Sequence, residues 1–352
     1  MINGEMVTLA RDYRGLTQAE LALRLHVSQS TVAKIEAGLR NASEADRLDD
    51  IAAALDFPPA FFLSDERLVG YGSSAYFYHK RATILASDRK RIHSIVNLNR
   101  IGLRQLLRHV DIDPSRPLRR FDVHEYGSAE RVAHAVRGHW SLPDGPVANI
   151  TKLIEGAGII VVPCDFETDR FDATSLWLAD LPPMIFINSS LPGDRWRFTL
   201  AHELAHLVMH DSPREKMEDE ADAFAAEFLA PEDQIKPHLL LAQSWKVSEL
   251  IQLKLYWRVS IGMLVRRAYE LGLMDDSTRQ RFYIRNAAIR RHEPEPLDQE
   301  RAESLEKIVE AVRDGLGFGF DGLARLLRLP NDVTASLSPS AAKSTRLRLV
   351  PS

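Results

Sequence analysis

Three short apolar runs, GIIVVP at 158–163, ATSLWLA at 173–179 and PMIFIN at 183–188, are the stretches of this 352-residue chain that read as strands. Each is rich in β-branched or aromatic residues and is bounded by Gly, Asp or Pro. Together they can build only a small sheet, and most of what surrounds them carries the three-to-four-residue spacing of helices. The expected fold class is therefore mainly α with a small α+β part. The length allows about two to three domains at roughly 100–200 residues each. Shifts in pattern and charge place boundaries at 1–62, 63–127, 128–292 and 293–352, the last at the EPEP run. A single cysteine, Cys164, excludes a Cys-rich zinc ribbon, so any metal must be held by His and carboxylates. Cys164 itself reads as a small buried hydrophobe, with an inhibitory thiolate as the alternative. No run reaches the roughly 18 apolar residues that a membrane span requires. The first residues hold Glu5 and no apolar h-region, which reads as a cytoplasmic chain with no secretory signal.

His202-Glu203-Leu204-Ala205-His206 falls within a helix expected over about 194–211. Residues four apart lie about one turn plus 40° of rotation from each other, so the two imidazoles project from one face and can share an ion. Glu203, on the adjoining edge, can take a proton from a zinc-bound water and later pass it to a leaving amine. A third ligand is required, and the acidic run at 215–222 in the following helix is the nearby supply. The apolar face of that helix is set by Ala221, Phe224, Ala225, Phe228 and Leu229. Glu218 points with it, which makes Glu218 the expected ligand and Glu220 the alternative. Asp222, one turn on, can fix the tautomer of a ligating imidazole. His210 continues the series but lies roughly 12 Å along the axis from His202, too far to share the ion; an outer bond or simple packing remains for it. Arg195 and Arg197 read as helix-terminal ion-pair partners, with stabilisation of a developing oxyanion as the alternative.

The stretch RFTLAHELAHLVMH followed by EDEADAFAAEFLAP resembles the ImmA/IrrE family of zinc metallopeptidases, over about residues 128–290. The resemblance implies a zincin-like (gluzincin) domain with a short mixed sheet and a helical C-terminal region. It also implies one Zn2+ held by His202, His206 and Glu218, with Glu203 as general base. The implied substrate is a partner repressor or antitoxin. PMIFIN, just upstream of the zinc helix, is the strand expected to accept an extended substrate backbone by strand addition.

The first 62 residues read as five short helices. LTQAELALRLHVSQSTVAKIEAG has the two-helix spacing of a helix-turn-helix and resembles the XRE, Cro-like repressors over residues 5–62. Thr17 and Glu20 form a capping-box pattern, and Ser28 is the expected N-cap of the second helix. Gln29, Ser30, Thr31 and Lys34 are expected to project into a DNA major groove. Gln18 either contacts phosphate or braces Gln29. A further helix is expected from Ser43 to Leu55, before Pro58 and Pro59.

Charge is unevenly spread. Residues 1–62 carry 6 basic and 9 acidic groups, whereas residues 63–127 carry 12 and 7. DNA affinity rests largely on phosphate neutralisation. Either a homodimer and the basic stretch at 89–108 supply the attraction that the first module lacks, or that module binds protein. Helices at 245–272 pair in a helix-turn-helix-like way but read as packing or substrate-facing, and residues 300–337 carry no assignment. The function expected is a DNA-binding regulator with a zinc endopeptidase domain. The alternative is a transcription factor whose peptidase-like domain only senses a ligand or partner.

Overall fold

A computed structural model describes residues 1–39, 47–70, 85–212, 214–242, 244–290 and 292–338. The amino-terminal helices are α1 (Gly4–Tyr13), α2 (Gln18–Arg24), α3 (Gln29–Glu36) and α4 (Leu48–Leu55), followed by a 3₁₀ turn at Pro59–Leu63. Thr17 and Glu20 close the expected capping box on α2, with Glu20 N–H donating to Thr17 Oγ1 at 3.2 Å and Thr17 N–H to Glu20 Oε2 at 2.7 Å. His26 turns the chain between α2 and α3 in the left-handed region (φ 52°), and Ser28 caps α3. The helix expected from Ser43 begins at Leu48, and residues 40–46 lie outside the described residues.

The connector is dominated by one long helix, α5 (Ala86–Leu106), most of whose second half is buried. Two helices, α6 (Ala129–His139) and α7 (Ile150–Gly156), then lead into β1 (Ile160–Cys164), β2 (Ala173–Leu176) and β3 (Met184–Asn188). The sheet is mixed, in the order β1-β3-β2, with β1 parallel and β2 antiparallel to β3. The hairpin of α8 (Gly193–Met209) and α9 (Met217–Leu229) follows, and then α10 (Glu232–Leu241), α11 (Val247–Trp257), α12 (Ile261–Glu270) and α13 (Asp276–Arg285). The chain closes with α14 (Ser304–Leu316), α15 (Phe320–Leu327) and α16 (Asn331–Leu337). The protein is thus mainly α with a small mixed sheet. Among the described residues no helix is long and apolar enough to cross a membrane.

Alternation along the strands divides the interior in two. Val161, Ala173, Ile185 and Ile187 face a core shared with α6 to α9 and α11 to α12. Ile160, Val162, Leu176, Met184 and Phe186 face a second core, built with α1 to α5 and α14 to α16. Residues 300–337, without an assignment in the sequence, therefore complete the wall behind the sheet. The final stretch from Pro339 lies outside the described residues.

The segment 293–300 runs across the start of α8 instead of swinging free. Lys254, fully buried, places Nζ 2.8 Å from Asp194 and 3.2 Å from Glu293. Arg197 of α8 is ion-paired with Glu300, whose other oxygen accepts from Thr151 N–H at 2.8 Å. Gly193 opens α8 where a Cβ would overlap the carbonyl oxygens of Leu297 and Asp298. Arg195 pairs with Asp172, so both arginines at this helix end serve in ion pairs.

Because the Arg197–Glu300 pair is buried, Arg197→Met leaves an uncompensated carboxylate and is expected to lower unfolding stability by about 3–5 kcal/mol. Denaturant unfolding should show most of that loss recovered in the Arg197→Met/Glu300→Leu double variant. A single variant as stable as the parent protein refutes this account of the segment.

Candidate functional site

Small residues let α8 and α9 approach closely: Ala201 and Ala205 on one helix and Ala221 and Ala225 on the other are fully buried. At this separation the carboxylates of α9 reach the imidazoles of α8. His202 Nε2 and His206 Nε2 lie 3.1 Å apart, and Glu218 Oε1 lies 3.4 and 3.3 Å from them. Glu218 Oε1 is buried and makes no hydrogen bond of acceptable geometry. Three ligand atoms therefore form a nearly equilateral triangle facing one point. A tetrahedral ion with bonds of about 2.0–2.1 Å spans ligand pairs of about 3.3 Å, so the donor set fits zinc. His202, His206 and Glu218 form one of two groups of potential metal ligands found among the described residues. In the other, His134, Glu227 and Asp233, the Glu227 carboxylate is already bonded to Arg267 and to the backbone N–H of Glu232.

The electrostatics point the same way. Burial opposes charge on His202, yet bonds to Asp222 and Glu218 raise its pKa to about 10. Burial, with positive neighbours adding to it, lowers that of His206 to about 3. Burial would raise the Glu218 carboxyl, but the two imidazoles hold it well below the usual carboxylate range. One positive charge is thus retained among three buried groups, in a place that a cation can take. Glu203 is buried beside them, and its charge helps keep His202 protonated.

Around this triangle lie groups that orient the rings. Asp222 Oδ1 is 2.9 Å from His202 Nδ1, and its other oxygen accepts from Arg266 at 2.8 Å. Glu220, the alternative ligand in the sequence, is turned to His210 at 3.0 Å instead. His210 in turn meets His206 Nδ1 at 2.9 Å. The series of histidines four apart was the visible signal for His210. Arg266 stands 44 residues beyond Asp222, and nothing local in the sequence points to it. Cys164 is buried in the second core, on the opposite face of the sheet, and burial pushes its thiol far up. It is a packing residue with no path to the cage.

One expectation is overturned. β3, the PMIFIN strand, cannot add a substrate strand because β1 and β2 already pair with both of its edges. The outer edge of β1 is also blunted: Val161 N–H reaches Ser304 Oγ at 3.3 Å, and Pro163 has no N–H. β2 is the edge strand that packs against α8.

In the amino-terminal module Gln29, Ser30 and Lys34 are exposed on α3 and Thr31 is half-buried. The Ser30 and Thr31 hydroxyls both contact Ser28 Oγ, at 2.8 and 2.9 Å. Gln18 does not brace Gln29; its amide donates to Glu36 Oε2 at 2.8 Å, alongside Arg11. Part of the basic connector is tied up in ion pairs, while Arg67, Lys90, Arg108, Arg116, Arg119 and Arg120 are exposed. Arg91 pairs with Glu167, Arg100 with Glu66, and Arg104 with Glu66 and Asp180. In the helix pair at 245–272, α12 packs into the core, with Ile261, Leu264 and Val265 wholly buried.

Comparison with family models matches residues 9–62 to the helix-turn-helix model and residues 154–269 to the peptidase M78 model, described as IrrE N-terminal-like domain. No curated protein and no solved structure matches the chain. The first match spans the module that carries α3, and the second spans the sheet, the α8–α9 hairpin and α12. The chain joins an XRE-type helix-turn-helix domain to an ImmA/IrrE-like peptidase-family domain.

Proposed function

We propose that this DNA-binding regulator is also an active zinc endopeptidase, and that its substrate is a partner protein, a repressor or an antitoxin. The observation that carries the reading is the convergence of His202 Nε2, His206 Nε2 and Glu218 Oε1 on one point beside a buried Glu203. Zinc held by His202, His206 and Glu218 would supply the Lewis acidity that polarises a peptide carbonyl and acidifies water near neutral pH. Glu203 takes the proton of the attacking water and delivers it to the departing amine nitrogen. Asp222, braced by Arg266, holds the His202 ring in place throughout. An extended substrate segment adds along β2, the strand beside α8.

For DNA, Gln29, Ser30, Thr31 and Lys34 form the reading surface, and Gln18 holds the start of α2 against α3 through Glu36. The pairing of Arg91, Arg100 and Arg104 with Glu167, Glu66 and Asp180 withdraws three of the connector's cations from neutralising phosphate. A second copy on an adjacent half-site adds to the affinity, as two-fold operators require.

Purified protein is expected to hold about one zinc per chain, lost in His206→Ala. Glu203→Gln should keep the metal and operator binding while abolishing cleavage. Comparing new protein termini in cells expressing wild-type and Glu203→Gln protein will reveal the substrate. Identical sets of termini, with zinc bound in both, favour the sensor reading over the enzyme. For the DNA module, Lys34→Ala should reduce the slope of log K against log salt by about 1, and Arg104→Ala should leave it unchanged. An equal change in both variants would show that the connector touches phosphate after all.

A further inference from the structure

The zinc reading leaves a third histidine of the same helix system without a task. His210 caps α8, is 3% exposed, and stands between His206 and Glu220 in a continuous chain of polar contacts. Hydrogen-bond accounting fixes the protons along that chain. A carboxylate only accepts, so His210 Nε2 carries the hydrogen toward Glu220 Oε2, 3.0 Å away. Neutral His210 then offers a lone pair at Nδ1, and His206 Nδ1–H donates to it over 2.9 Å. His206 Nε2 is left bare and faces Glu218 Oε1 and His202 Nε2. With zinc in place of its second proton, His202 is held in the same way by a shorter route, through Nδ1–H directly to Asp222.

We propose that His210 and Glu220 are positioning residues that hold His206 in the tautomer and ring orientation that ligate zinc. The inference rests on the reading of the cage as a zinc site. The interposed imidazole has a physical reason. His206 is 2% exposed, and a carboxylate set directly against its Nδ1 would bury a second charge in addition to that of Glu218. His210 bridges the distance, so that Glu220 sits in the first turn of α9 with its side chain 23% exposed. There solvent and the positive end of the helix stabilise the anion. The helix α9 thereby assigns one acid to each need: Glu218 to the cage, Asp222 to His202 and Glu220 to His210.

The test measures zinc affinity directly, by competition of the full-length protein with a chromogenic chelator, using the metal alone. His210→Phe keeps the ring volume and removes the acceptor; it is expected to weaken zinc binding by about 10–100-fold. Glu220→Gln keeps an acceptor without the charge and should weaken it less. His210→Asn can return an oxygen acceptor to His206 Nδ1 and should recover much of the loss. Nitrogen-15 spectra of labelled histidine should show His206 protonated at Nδ1 in the zinc-loaded wild type. If wild-type protein binds zinc and His210→Phe binds it equally well, the relay is overturned and the zinc site stands. If His210→Asn binds as weakly as His210→Phe, with both zinc-free variants melting lower by the same amount, His210 is a packing residue and the relay is again overturned. Wild-type protein that takes up no zinc removes the cage reading and the relay together.

Discussion

Two imidazoles and a carboxylate must share one buried point, and the carboxyl-terminal half of the protein is arranged around that requirement. Buried ionisable groups are tolerated only where partners compensate for lost water. Here the compensation is layered outward: Asp222 and Arg266 behind His202, His210 and Glu220 behind His206. Each layer depends on how closely α8 and α9 approach, which is why alanines occupy their contact. The segment 293–300 then fixes the start of α8 through Glu300, Gln299 and Glu293, so that the helix bearing both imidazoles is held at the end far from the cage as well.

The charge distribution acquires a different meaning in three dimensions. As a linear count, the excess of cations at 63–127 invites a role on DNA. In the fold, Arg91 and Arg104 pair with Glu167 and Asp180 of the domain that follows, and Arg100 pairs in the interior with Glu66 of the connector itself. Along the chain, opposite charges in neighbouring segments here mark surfaces that meet. The amino-terminal module is tied to the same assembly by Arg14 and Tyr13, which both contact Asp332 of α16.

What was legible in the sequence had short-range causes. The capping box at Thr17, the three strands, the histidines four apart and the apolar face that separates Glu218 from Glu220 follow from helix and strand geometry. What escaped depends on contacts between distant residues. Strand order is set by packing, so nothing in PMIFIN reveals that it lies between two partners. Glu300 lies 103 residues from Arg197, and Arg266 lies 44 from Asp222, separations over which sequence pattern carries no register. The EPEP run has the composition of a linker, yet its first residue, Glu293, is drawn inward by Lys254, which is wholly buried.

The sheet is only three strands wide, but neither face belongs to one function. Val161 and Ile185 face the core shared with α8 and α9, while Ile160, Val162, Met184 and Phe186 face the core shared with the amino-terminal helices, α5 and α14 to α16. A gene fragment encoding only the peptidase-like region would therefore leave a strip of isoleucine, valine, methionine and phenylalanine bare to water. That surface favours aggregation over folding. The two regions match separate family models yet share one core across the sheet, so a recombination that swaps one of them must also carry a matching partner for that strip.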